Sequence, residues 1–262
     1  MLYLSPAITV YFCVLAALLG ACVGSFLNCM AWRIVHGEPI TKGRSHCDAC
    51  GHVLSAADLV PVVSFLAHRG KCRYCGAKLS KRHLWGEILS ALTFVALLLK
   101  YDISLQTLEY LLFASLLLGC AFADLEGYMI PDRFILAGIV FRIPFFFLLP
   151  DWKGQVLDAA IGGFAIGGGL LLIVLVYEKI RKIEAMGGGD LKLLFLTGLY
   201  LGWQRNLLCL FFACILGIAV GLLTAKKREE KLFPWGPSIA AGAIISALCG
   251  GELIEAYLGL FV

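Results

Sequence analysis

The chain of 262 residues is 60% apolar and only 15% charged, with a net charge of +4 and a mean hydropathy of +0.88. That is too little charge to coat a water-soluble core of this size, so most of the chain belongs in lipid. Its basic residues lie between apolar runs rather than in one stripe, which argues against a nucleic-acid partner.

No charged residue precedes Arg33. A signal peptide usually opens with basic residues and has a shorter apolar core, so residues 8–32 are predicted to be a retained first span. Residues 33–83 form the one large polar stretch. Further spans are predicted at 84–99, 105–123, 133–150, 155–178, 190–204, 206–225 and 233–251, the last able to run on to 260. The expected fold is therefore an all-α membrane protein of about eight helices. Its parts are a first span (1–32), a polar loop (33–83) and a seven-span region (84–262).

Alternate loops of such a protein face the same side. The odd loops hold Arg33, Lys42, Arg44, Arg69, Lys71, Arg73, Lys78, Lys81 and Arg82, then Arg133, then Lys179, Arg181, Lys182 and Lys192, then Lys226, Lys227, Arg228 and Lys231. The even loops hold only Lys100, Lys153 and Arg205. The positive-inside rule then makes the odd loops cytoplasmic and turns both termini outward.

Four of the eleven cysteines form two Cys-x-x-Cys pairs in the first loop, Cys47/Cys50 and Cys72/Cys75, with twenty-one residues between Cys50 and Cys72. This spacing suits a four-thiolate zinc ribbon, and Gly51 and Gly76 after the pairs suit the tight turns. Four sulfurs leave no open position for a substrate water, so the metal is expected to be structural. The same pairs could instead form disulfides, but a cytoplasmic loop keeps thiols reduced. The other seven cysteines lie in apolar runs and read as small buried residues.

Ionisable groups in or beside spans need explaining. Asp124 ends the apolar run L-L-L-G-C-A-F-A-D, at the predicted cytoplasmic end of the third span. A helix C-terminus gives an aspartate nothing. Asp190 follows M-G-G-G and opens the sixth span on the same side. Alone, Asp190 reads as a helix cap. Two carboxylates at one depth on one face also suit an aspartic peptidase. There a shared proton leaves one group to activate water and the other to polarise the peptide carbonyl. Asp132, in I-P-D, reads as a helix cap. Glu87 lies early in the second span, near the cysteine loop. Glu109, Glu252 and Glu255 are expected to be solvated near the outer surface. Arg142 falls within the fourth span, with no partner legible in the sequence.

These residues resemble the type IV prepilin peptidases. G-S-F-L-N at 24–28 followed by Arg33 is similar to that family's first-span motif, with Cys29 where valine is usual. The stretch from Cys47 through D-L-V-P-V-V-S-F-L to R-G-K-C-R-Y-C resembles its zinc loop. A-D-L-E-G-Y-M-I-P-D resembles the first catalytic aspartate motif and M-G-G-G-D-L-K the second, while F-P-W-G-P at 233–237 resembles the opening of the last span. H-L-W-G-E at 83–87 departs from the pattern by lacking a proline before the glutamate. The resemblance implies that Asp124 and Asp190 are catalytic. It implies cleavage of the basic leader of prepilins or pseudopilins after a glycine, at the cytoplasmic face of the bacterial inner membrane. It also implies methylation of the new N-terminus from S-adenosylmethionine, with Gly70 and Lys71 linked to that step.

A transporter is the alternative class, because intramembrane carboxylates and glycine-broken helices also mark ion pathways. The predicted edge position of both aspartates, away from the midplane, disfavours it. A zinc-loop scaffold without chemistry would leave the two aspartates unexplained. A dedicated methyltransferase would lack the glycine-rich fingerprint after a strand.

Overall fold

The computed structural model describes residues 5–40, 43–47, 49–183, 186–224 and 233–260. Lys42, Asp48, Lys226, Lys227, Arg228 and Lys231 lie outside them. The helices are α1 (Pro6–Val35), the short α2 (Val63–Ala67), α3 (Lys81–Tyr101), α4 (Leu105–Gly127), α5 (Asp132–Leu148), α6 (Trp152–Gly162), α7 (Gly169–Arg181), α8 (Gly188–Thr224) and α9 (Gly236–Leu258). A π-helical turn, Gly163–Gly168, joins α6 to α7 into one rod. No β-strand occurs among the described residues. Two isolated bridges, His46 to Val53 and Lys71 to Lys78, shape the cysteine loop.

By length and apolar content, six of these helical rods can cross a membrane. α5 and the two limbs of α8 bring the number of spans to the expected eight. α5 is apolar but has only 17 residues. α8 has 37 residues and breaks at Gly202, whose φ of 73° and ψ of 180° are not helical. Across the break the chain turns back on itself. Asn206 Nδ2 donates to Leu194 O at 3.2 Å, and Thr197 Oγ1 donates to Asn206 Oδ1 at 2.7 Å. In one straight helix, residues 194 and 206 would stand about 18 Å apart. The limbs 188–201 and 203–224 thus match the predicted sixth and seventh spans to within a few residues.

The chain forms two compact units, Met1–Thr107 and Leu108–Val262. In the first, α1 packs on α3 through small residues. A Cβ on Gly20 would lie 2.7 Å from Ser90 O, and one on Gly24 would lie 2.5 Å from Ser90 Oγ. Gly86 on α3 leaves room for the Asn28 amide. This is how helices associate in lipid, where close backbone approach replaces a hydrophobic drive. Arg33, at the end of α1, gathers the loop by donating to Pro39 O, Ile40 O and Gly43 O.

In the second unit, Arg142 finds its partner. Its guanidinium pairs with Glu109 on α4 and donates from Nε to Leu199 O at 3.0 Å. The Phe146 ring lies 4.2 Å below it. Glu109 is 3% exposed, so the expectation that it is solvated is corrected. A carboxylate facing a buried guanidinium from a neighbouring helix is held by charge pairing rather than by water. Glu252 and Glu255 are exposed as expected. Asp132 is not a cap: Pro131 precedes the helix, and Asp132 Oδ1 pairs with Lys192 Nζ at 2.7 Å on the surface.

Candidate active site and cysteine cluster

Asp124 lies one turn before the end of α4 and is 5% exposed. Its Oδ2 accepts the Gly236 amide at 2.8 Å. Gly236 is the first residue of α9, and Pro237 follows it. A helix leaves its first N–H groups unpaired and carries positive potential there. The carboxylate that gains nothing from its own helix end is therefore held at the start of another. A Cβ on Gly236 would lie 2.8 Å from Asp124 Oδ2, so the contact requires glycine. Trp235 anchors the turn by donating from Nε1 to Ala213 O at 3.0 Å.

Asp190 sits in the first turn of α8, its amide donating to Gly187 O at 3.1 Å. Its carboxylate makes no side-chain hydrogen bond among the described residues and lies within electrostatic range of Asp124. The glycines before it have separate roles. A Cβ on Gly189 would press within 3.0 Å of Ile130, and one on Gly187 would lie 3.3 Å from Asp190 Oδ2, whereas Gly188 faces open space. Ile130 belongs to the turn after α4, and Lys192 bonds Asp132 in the same region. The start of α8 is thereby seated against the chain that follows Asp124. α4, α8 and α9 together bring Asp124, Asp190 and Gly236 to one end of the second unit.

In the first unit the sulfurs of Cys47, Cys50, Cys72 and Cys75 all lie within 4.8 Å of one another, and Cys47 and Cys75 are 3.8 Å apart. Zinc–sulfur bonds of about 2.3 Å in a tetrahedron give an edge of about 3.8 Å, so the cluster fits a four-thiolate ion. Each pair sits on the same kind of turn. Cys47 donates to His52 O and Gly51 donates back to Cys47 O, while Cys72 donates to Ala77 O and Gly76 donates back to Cys72 O. Gly51 and Gly76 have φ of 69° and 72°, the conformation expected of them. The Cys75 and Tyr74 amides bring the Cys72 thiol down to about 7. For Cys75 the Ala77 amide pulls downward, but burial and the neighbouring thiols push it up to about 11. No disulfide is present among the described residues.

Three features around this cluster have a geometry that is not legible in the sequence. Glu87 is buried and accepts the Val62 amide at 2.7 Å. Val62 has φ of 62° and ψ of −51°, and Val63 donates to Pro61 O across it at 2.6 Å. This is a strained γ-turn, costly for a β-branched residue. Asp58 is held by the Ser55 hydroxyl at 2.6 Å and the Ser55 amide at 3.0 Å, which keep its carboxyl below the usual range. Gly70 has φ of 67°, and a Cβ there would lie 3.0 Å from the Phe65 ring. Lys71 and Phe65 line one cavity.

Residues 18–101 match the family described as Bacterial Peptidase A24 N-terminal domain, and residues 111–222 match the Type IV leader peptidase family. The Prepilin leader peptidase/N-methyltransferase of Bacillus subtilis (strain 168) is 32% identical over 248 residues, covering 91% of this chain and 95% of that protein. That of Pseudomonas putida is 32% identical over 280 residues, covering 95% of each. That of Myxococcus xanthus (strain DK1622) is 34% identical over 214 residues, covering 81% of this chain and 63% of that protein. No solved structure shows a significant match to the chain.

Proposed function

The chain belongs to the type IV leader peptidase family, and we propose that Asp124 and Asp190 are the carboxylates with which it cleaves the leader from a prepilin or pseudopilin. It is an integral membrane enzyme, a peptidase with an N-methyltransferase activity. What supports the dyad is the placement of both at one end of the second unit, Asp124 held by the Gly236 amide and Asp190 in electrostatic range of Asp124.

Two close carboxylates share one proton. The ionised member takes a proton from a water placed between them as that water's oxygen bonds to the scissile carbonyl carbon. The protonated member hydrogen-bonds the scissile carbonyl and, as the C–N bond breaks, a proton passes to the leaving nitrogen. A basic leader joined to an apolar helix suits such a site at a membrane edge. The basic loops on the dyad's side favour the cytoplasmic face of the bacterial inner membrane.

We assign one structural zinc to Cys47, Cys50, Cys72 and Cys75, with no part in hydrolysis. Bound S-adenosylmethionine would supply an electrophilic methyl group to the new terminal amine, its sulfonium leaving as a thioether. Gly70 acts through Phe65, whose ring a Cβ at position 70 would crowd at 3.0 Å and which lines the same cavity as Lys71.

Incubation of the detergent-solubilised protein with a prepilin-like peptide, followed by mass measurement, tests both activities. The expected products are a peptide shortened by its leader and one further heavier by a methyl group. An intact peptide would sink the peptidase assignment.

A further inference from the structure

α8 carries Asp190 at its start and, after the reversal at Gly202, returns to about the same depth. Asp190 stands twelve residues before Gly202 and Ala213 eleven after it, each about 17 Å from the turn. One helical turn beyond Ala213, Gly217 leaves a notch in the returning limb. A Cβ there would lie 2.8 Å from Trp235 Nε1 and 2.9 Å from Trp235 Cδ1. The indole sits in that notch and donates from Nε1 to Ala213 O at 3.0 Å. An indole N–H among apolar groups needs an acceptor, and the acceptor fixes where the ring can lie.

Trp235 is also the residue before α9. Its carbonyl accepts the amides of Ser238 and Ile239, each at 3.0 Å. Pro237 has no N–H. Of the four amides that a helix start leaves over, the Gly236 amide alone remains to donate outward, and it donates to Asp124 Oδ2 at 2.8 Å. The same limb of α8 holds α9 closely further along, where a Cβ on Gly242 would lie 2.7 Å from Cys209 O. The indole is the side-chain anchor adjacent to the amide that meets Asp124.

We propose that Trp235 is a positioning residue for leader cleavage. Seated in the Gly217 notch, it sets the Gly236 amide and thereby the aim of the Asp124 carboxylate. One element then carries Asp190 and, through this indole, also locates its partner. The inference rests on the dyad reading above.

The test is steady-state cleavage of a prepilin-like peptide by the full-length protein in detergent, with kcat and KM separated. Trp235→Phe keeps a ring at the notch and loses the N–H. It should lower kcat about tenfold and leave KM unchanged, because displacing a reacting carboxylate costs rate rather than affinity. Gly217→Ala keeps the N–H but crowds the indole, and should act in the same way. It decides the matter if Trp235→Phe fails to fold. A double-mutant cycle separates positioning from general loosening. Gly236→Ala already displaces Asp124, so adding Trp235→Phe or Gly217→Ala to it should lower kcat little further. Wild-type kcat in either folded variant, a change confined to KM, or losses that multiply in the double variant would overturn the assignment of Trp235. Asp124→Asn is measured alongside. If it still cleaves, the dyad reading fails and this inference with it. An inactive Asp124→Asn beside a fully active Trp235→Phe sinks this inference alone.

Discussion

Asp124 closes one helix and lies at the start of another, and that geometry separates two roles for a carboxylate. An asparagine would still accept the Gly236 amide, and at position 190 it would cap a helix about as well as aspartate does. It cannot take a proton from water. Asp124→Asn and Asp190→Asn should each abolish leader cleavage, the double variant costing little more than either alone because the pair acts as a unit. Near-normal cleavage by purified Asp190→Asn would mean that residue 190 is only a cap. Gly236→Ala probes the same contact from the other side. Its Cβ would stand 2.8 Å from Asp124 Oδ2, so the carboxylate must move. A 1 Å misplacement can cost about a hundredfold in rate. Cleavage should fall on that scale while thermal stability in detergent changes little, and unchanged kinetics would show that the contact has no catalytic weight. The two aspartates are legible in the sequence because each breaks an apolar run beside short-range signals. The Gly236 amide is not, because it comes from 112 positions away. Glu109 misleads for the same reason, its guanidinium partner lying 33 positions along the chain on a different helix.

At the scale of elements, the spans were legible from apolar length and the cysteine loop from spacing, while the turn at Gly202 was not. The sixth and seventh predicted spans are separated by Arg205 alone, and a single glycine makes the reversal. Asp158 fills the place a side chain would need there, its Oδ1 accepting the Trp203 amide at 3.2 Å. Gly202→Ala therefore meets both a positive φ and a clash. It should lower the thermal midpoint, costing about 1–3 kcal/mol. An unchanged midpoint would show that the limbs meet without this turn. The cysteine loop is too small to hold itself together by apolar burial, which is why a metal is expected there. Replacing Cys72 by serine should reduce bound zinc and loosen the loop. Part of the peptidase activity should survive, because Asp124 and Asp190 stand on α4 and α8. Metal analysis of reduced, chelator-free wild-type protein that finds no zinc would refute the four-thiolate assignment.

For the whole molecule, the question is which end of the second unit faces the compartment where prepilins are made. Arg133, Lys179, Lys182 and Lys192 lie toward the end that carries Asp124, Asp190 and Gly236. Lys153 and Arg205 lie toward the other end, with Asp158 and the Gly202 turn. The contact between Asp158 on α6 and the turn in α8 fixes these as opposite ends independently of charge, since α6 begins where α5 finishes. Basic residues near span ends are retained on the cytoplasmic side. In the proposed orientation, a basic leader synthesised in the cytoplasm and joined to an apolar helix that enters the bilayer would meet the carboxylates without crossing the membrane. An epitope inserted after Pro150 should bind antibody on spheroplasts, and one inserted after Lys182 only after permeabilisation. Cleavage activity retained in both insertions keeps the readout on folded protein. The reverse pattern would put the dyad on the far side from its substrate's leader, and would overturn the cytoplasmic site even with both aspartates proved essential.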